Sequence, residues 1–128
     1  MPDVRTERRE ARARMRALAS EYVERFSARH PVRAAALVGS VARGDFNVWS
    51  DIDVVVVVDA LPDRLPDRAL ALAMDAPPGV QAIGFTPPEF ERAYSPGDPL
   101  AREAVELGQA LRGEVFFSRF RPPRPTGG

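Results

Sequence analysis

The chain has 128 residues, 45% of them hydrophobic and 28% charged, with 18 basic and 18 acidic side chains and a formal net charge of zero. That is one soluble domain with a real core; it has no apolar run long enough to cross a membrane and no global charge to hold nucleic acid. With no cysteine and a single histidine, disulfides, thiolate metal centres and multi-histidine zinc sites are excluded.

The charged N-terminus lacks the apolar core of a signal peptide, so a cytoplasmic location is expected. Residues 6–29 read as an amphipathic helix, with Met15, Leu18, Tyr22, Val23 and Phe26 at helical spacing, Thr6 as its cap and Pro31 beyond its end. Within it, RTERREARARMR (5–16) sets six arginines against two glutamates. Such a run is ordinarily a solvated face, although it leaves open a docking surface for an acidic partner or RNA. VRAAALV (32–38) reads as a buried strand stopped by Gly39, and residues 40–47 as a tight turn or short helix. IDVVVVVDA (52–60) is the clearest strand, β-branched and apolar on both faces, ended by Leu61-Pro62.

Residues 63–74 predict a second helix with Leu65, Ala69, Leu72 and Ala73 facing inward, broken by Pro77-Pro78-Gly79. VQAIGFT (80–86) predicts a third strand, and PPEFERAY (87–94) a short helix opened by proline. PLAREAVELGQALRG (99–113) predicts a last helix with Leu100, Ala104, Leu107 and Leu111 inward and Gly113 as its C-cap. EVFF (114–117) reads as a short edge strand, which closes a domain over residues 1–117. Residues 118–128 read as a disordered tail rich in proline and glycine. The layout is α+β, a small mixed sheet packed by helices.

Asp51 and Asp53 stand at the mouth of the valine strand. Side chains alternate along a strand, so both point to one face, roughly 7 Å apart along the backbone. Two carboxylates converging to roughly 4 Å repel by about 4 kcal/mol at an effective dielectric of 20. Without a cation, one of them would keep its proton. Oxygen-only ligands beside a turn suit Mg²⁺, which takes one or two carboxylates and completes its shell with water and phosphate. Asp59 shares the face but lies about 20 Å further along the strand. Gly39-Ser40 offers backbone N–H groups and a hydroxyl to a phosphate, and Arg43 a fork of donors to a second phosphate oxygen. With no lysine in the chain, arginine is the only cationic phosphate ligand.

Gly39-Ser40, ten residues, then Asp51-Ile52-Asp53, with Ala42-Arg43-Gly44 and Ser50-Asp51 inside, resembles the signature of the DNA-polymerase-β-like nucleotidyltransferase superfamily. The length of the chain makes it similar to the minimal nucleotidyltransferase (MNT) branch, and the order of elements extends the likeness over most of residues 6–117. The resemblance implies that fold, a two-ion Mg²⁺ site, and transfer of a nucleoside monophosphate from ATP or another NTP to an acceptor, with release of pyrophosphate. It also implies roles: Gly39 and Ser40 on the triphosphate, Asp51 and Asp53 on Mg²⁺ as the catalytic pair. Arg43 and Ser50, within the same motif, complete the expected nucleotide-binding set. Some relatives are antitoxins that adenylylate a tyrosine of a partner HEPN-type ribonuclease.

The family usually supplies a third carboxylate from the next strand, and here the matching position is Gln81 within Val80-Gln81-Ala82. Its carbonyl oxygen can reach a metal, but it carries no charge and accepts no proton. Glu89 is the nearest alternative carboxylate. Trp49 admits two readings, a platform for a base or a side chain wedged under a loop. His30 reads as a helix C-terminal cap, and Phe46 and Phe85 as packing. The expected function is transfer of AMP to a hydroxyl of a partner protein, such as a HEPN-type toxin, in a homo- or hetero-oligomer without nucleic acid. The rival is a nucleotide- and partner-binding module that has lost turnover. Transfer to a small molecule is a further alternative.

Overall fold

The computed structural model describes residues 3–47 and 49–121. Its elements in chain order are α1 (Val4–Ser27), β1 (Val32–Val38), α2 (Gly39–Arg43), β2 (Ile52–Val58), α3 (Leu65–Ala73), β3 (Val80–Phe85), α4 (Pro87–Tyr94), α5 (Pro99–Glu106), β4 (Gln109–Arg112) and α6 (Glu114–Ser118). The four strands form one mixed sheet in the order β3-β2-β1-β4. β1 runs antiparallel to both β2 and β4, whereas β2 and β3 are parallel.

The valine run explains why β2 lies inside this sheet: both its faces are apolar, so both must be covered. Ile52, Val54, Val56 and Val58 face a core with Ala19, Tyr22, Val23 and Phe26 of α1 and Leu72 of α3. Val55 and Val57 face a second core with Phe90 of α4, Ala101, Ala104 and Val105 of α5, and Phe116 and Phe117 of α6. Among the described residues, no helix is long and apolar enough to cross a membrane.

Several expectations need correction. α1 begins two residues before Thr6, because Asp3 is the cap and its Oδ1 accepts the Arg5 N–H at 3.1 Å. His30 stacks on Phe26, with ring centroids 4.3 Å apart, beyond the helix end at Ser27. In α3 only Leu72 is buried. Leu65 is 76% exposed, and Ala69 and Ala73 are also exposed, because α3 packs at the sheet edge formed by β3.

The helix expected over 99–113 stops at Glu106, and residues 109–112 become β4. The free edge of β1 needs backbone partners, and Ala110 and Gln109 pair with Ala36 and Leu37. Tertiary pairing thus overrides the helical spacing of Leu107 and Leu111, and Leu107 is 63% exposed. EVFF is a helix, not a strand. Phe116 and Phe117 are both buried, which neighbours on a strand with one solvent face cannot achieve but neighbours about 100° apart on a helix can.

Gly113, expected as a C-cap, instead turns the chain from β4 into α6 at φ +65°, where an added Cβ would stand 2.1 Å from the Arg33 carbonyl oxygen. Gly113→Ala is therefore expected to cost about 2 kcal/mol or more, measured as a drop in urea midpoint with unchanged slope. The fold also continues past the expected boundary at 117. The Phe120 ring lies 5.2 Å from that of Phe90, and Arg121 Nε donates to the Val105 carbonyl at 2.9 Å. The rest of the expected tail, 122–128 with Arg124, lies outside the described residues.

Candidate active site

The end of β1 and the start of β2 lie side by side, with Val38 opposite Asp53. α2 springs directly from β1, so its first residue, Gly39, sits over the Asp53 side chain. Gly39 adopts φ +75°, and a Cβ there would lie 2.5 Å from Asp53 Oδ2. Any other residue at 39 would close the space above the carboxylate.

Asp53 is half-buried, and among the described residues no hydrogen-bond donor reaches its carboxylate. Burial, together with the charges of Asp51 and Glu103, raises its proton affinity above the ordinary value; Arg43 opposes this only in part. Asp51 is exposed one residue before β2. Gln81 pairs with Asp53 in the parallel register of β2 and β3, which places both on the same face of the sheet.

The other expected residues divide. Arg43, at the end of α2, donates from Nη1 to Glu103 Oε1 at 2.7 Å and reaches Asp45 from Nε at 3.5 Å. Ser40 is half-buried on α2, and its carbonyl accepts the N–H groups of Gly44 and Asp45. The Ser50 hydroxyl accepts the Asn47 N–H at 2.9 Å and so braces the loop before β2. Trp49 is 89% exposed, which removes the wedge reading. Phe46 is buried beneath the Arg8 guanidinium, and Phe85 packs edge-on to Phe90, as packing residues should. Glu89 does not replace the missing carboxylate: it forms a capping box with Thr86 and binds Arg68 Nη1 at 2.9 Å. The Arg68 hydrogen bond holds its carboxyl below the ordinary range. Asp59 pairs with Arg33 at the far end of β2.

Glu103 is the site residue that sequence reading missed. Its Oε1 accepts both the Gly39 N–H at 3.1 Å and the Arg43 guanidinium. Nothing local marks it, since it lies 64 residues from Gly39 in a helix whose neighbours Ala101 and Ala104 simply pack. Its carboxylate sits on the two donors expected to meet a phosphate. Glu103→Gln should therefore tighten triphosphate binding several-fold in calorimetric titration, because a neutral amide gives up Arg43 more readily. Unchanged or weaker binding would make Glu103 a brace that orients Arg43.

A divalent cation fits this arrangement. The donors are oxygen-only, the carboxylates repel, and the space above Asp53 is kept open by glycine. Among the described residues, no three His, Cys, Asp or Glu side chains converge to hold a metal. A cation here would take Asp51 and Asp53 and draw the rest of its shell from water and phosphate, the preference of Mg²⁺.

Comparison with known proteins agrees with this geometry. The family model for the nucleotidyltransferase domain matches residues 19–104. Among solved structures, the fold is similar to the 1.40 Å crystal structure of a protein from Sulfolobus solfataricus inferred to be a nucleotidyltransferase. The two are 29% identical with a TM-score of 0.59, over 66% of this chain and 78% of that one. A search of curated proteins returns no match. The α+β fold, the site at the β1–β2 junction and the match over residues 19–104 agree: the chain belongs to the nucleotidyltransferase domain family, in keeping with a minimal member of the polymerase-β-like superfamily.

Proposed function

We propose that the protein transfers AMP from Mg·ATP to a hydroxyl of a partner protein, in an antitoxin-like pairing with a HEPN-type toxin. The observation that carries the transferase reading is Asp53: a half-buried carboxylate without a hydrogen-bond donor, beside Asp51, under a glycine that keeps the space above it open. In this reading the Gly39 N–H and Arg43 exchange Glu103 for triphosphate oxygens and fix the nucleotide against α2. Ser50 holds the loop that presents Asp51, and Asp51 and Asp53 hold Mg²⁺. When bound, Mg²⁺ neutralises the charge that develops on the phosphoryl oxygens. The acceptor hydroxyl gives up its proton to solvent as its oxygen bonds to the α-phosphorus, the bond from the α-phosphorus to the bridging oxygen of the β-phosphoryl group breaks, and pyrophosphate leaves. The protein acceptor rests on the family resemblance.

A second reading is favoured by Gln81, which is paired with Asp53 in the strand register yet uncharged. There the protein binds nucleotide and masks its partner without modifying it. One experiment separates the two. α-Labelled ATP, Mg²⁺ and the product of a neighbouring gene are incubated with wild type, Asp53→Ala or Gln81→Asp. Label on the partner with wild type, lost in Asp53→Ala and raised in Gln81→Asp, supports transfer. Retained ATP binding with no label in wild type supports the binding module. A Gln81→Asp variant with unchanged rate and Mg²⁺ affinity would remove Gln81 from the metal site.

A further inference from the structure

Beyond Arg16, every described arginine except Arg92 has a carboxylate within ion-pair distance. Between residues 5 and 16 none of the six has one, among the described residues. The fold supplies acidic partners to its arginines nearly everywhere and withholds them from the first three turns of α1. A chain of zero net charge is thereby strongly polarised.

Two of these arginines have structural work. Arg8 donates to the carbonyls of Gly44 and Phe46, and Arg12 to those of Val41 and Ala42, which ties α1 to α2 and the following loop. Arg5, Arg9, Arg12 and Arg16 follow one another at i, i+4, i+7 and i+11, so they form a single stripe about 16 Å long. Glu7 and Glu10 fall on other faces by the same spacing. The stripe lines two open depressions, one shared with Gly44 and Phe46, the other with Gln109. Like charges at i,i+4 destabilise a helix, so the arrangement carries a repulsion that a bound polyanion relieves. The loop that packs over this end of α1 also carries Trp49, whose exposed indole is an apolar face without a core to fill.

We infer that the arginine stripe of α1 is a docking site for single-stranded RNA, with the guanidinium groups of Arg5, Arg9 and Arg16 on its phosphates and Trp49 as a stacking platform for a base. A line of cations tracks the backbone of a single strand without reading its sequence, and an exposed aromatic offers a face on which any base can stack. An acidic protein surface seldom offers one negative charge per unit along a line, whereas a phosphodiester chain does. The site is independent of the proposed transferase reaction, since it uses none of the residues assigned to nucleotide or metal.

The test is fluorescence anisotropy with labelled dodecauridylate, and labelled dodecaglutamate as the comparison, across a salt series. Three to four phosphate contacts give a slope of log affinity against log salt of about −2 to −3. Arg5→Glu, Arg9→Glu and Arg16→Glu combined should weaken RNA binding at least tenfold and flatten the slope by about 2. This triple keeps Arg8 and Arg12, so α1 stays attached, and circular dichroism checks its helix. Arg64→Glu, Arg92→Glu and Arg119→Glu combined make the same charge change away from α1 and should weaken binding less than threefold. Trp49→Ala should weaken it about fivefold or more, and Asp53→Ala not at all. Equal losses in both triples, no RNA binding at 50 mM salt, or tighter binding of dodecaglutamate than of RNA would each overturn the inference, the last in favour of an acidic polypeptide.

Discussion

Asp53→Asn is expected to remove Mg²⁺-dependent nucleotidyl transfer while leaving the protein at least as stable as wild type at pH 7. On the activity side, a carboxylate that holds the cation supports several kcal/mol of charge stabilisation in the transition state. At about 1.4 kcal/mol per tenfold change, losing it lowers the rate roughly a thousandfold or more. The stability side follows from the sign of the pKa shift. Burial, Asp51 and Glu103 raise the Asp53 pKa above its ordinary 3.8, so the folded chain binds more protons than the unfolded chain. Stability from this group is present at low pH, falls as pH rises from 3.8 through the folded value, and stays lost above it.

Asparagine does not titrate, so the variant gains on wild type across that rise and keeps the gain at pH 7. Thermal melts in EDTA at pH 4 and pH 7 check the sign. In the same assay, Mg²⁺ with ATP should raise the melting temperature of wild type and leave that of the variant unchanged. A variant that melts well below wild type at pH 7 would make Asp53 a structural residue, and the active-site reading would fall with it.

Phe90→Ala is expected to be the most damaging single substitution for stability. Phe90 is fully buried, with ring centroids 5.5 Å from Phe85, 5.6 Å from Phe116, 5.8 Å from Phe117 and 5.2 Å from Phe120. It joins α4, α6 and the segment after α6 to the sheet, and no neighbouring ring can fill its place without leaving another. Phenylalanine-to-alanine changes at such sites cost about 3–5 kcal/mol, which for a domain of this size lowers the melting temperature by about 10 °C or more. Differential scanning calorimetry reads this directly. The same core holds Ala101, Ala104 and Val105 of α5, the helix that carries Glu103. The variant should therefore also loosen the Glu103–Arg43 contact and tighten triphosphate binding below its lowered melting point. A drop of only one or two degrees would mean that the aromatic cluster is not the anchor of this layer.

The sequence by itself determined the elements whose signals are local. Five valines between Ile52 and Asp59 can only be a strand covered on both faces, and β2 is that strand. The 3.6-residue spacing of Met15, Leu18, Tyr22, Val23 and Phe26 made α1, and the proline pair at 87–88 opened α4. The glycine, arginine and two aspartates of the candidate site could be named from sequence because one short stretch of chain joins them. Gln81 lies opposite Asp53 because a parallel neighbour of β2 brings its own first residues to the same end.

Tertiary structure alone decided the C-terminal third and the last member of the site. Residues 109–112 continue a helical pattern in sequence, yet the open edge of β1 offers backbone hydrogen bonds that a solvated turn of helix cannot match, and the segment becomes β4. Phe116 and Phe117 are adjacent in a short apolar run that reads equally as strand or helix. The aromatic pocket around Phe90 selects the helix, because only there do both rings find cover. Glu103 belongs to the site through a contact across 64 residues, and no periodicity encodes a contact of that range. The six arginines between residues 5 and 16 were countable from the start, but their lack of acidic partners became visible only when the fold paired nearly all the others.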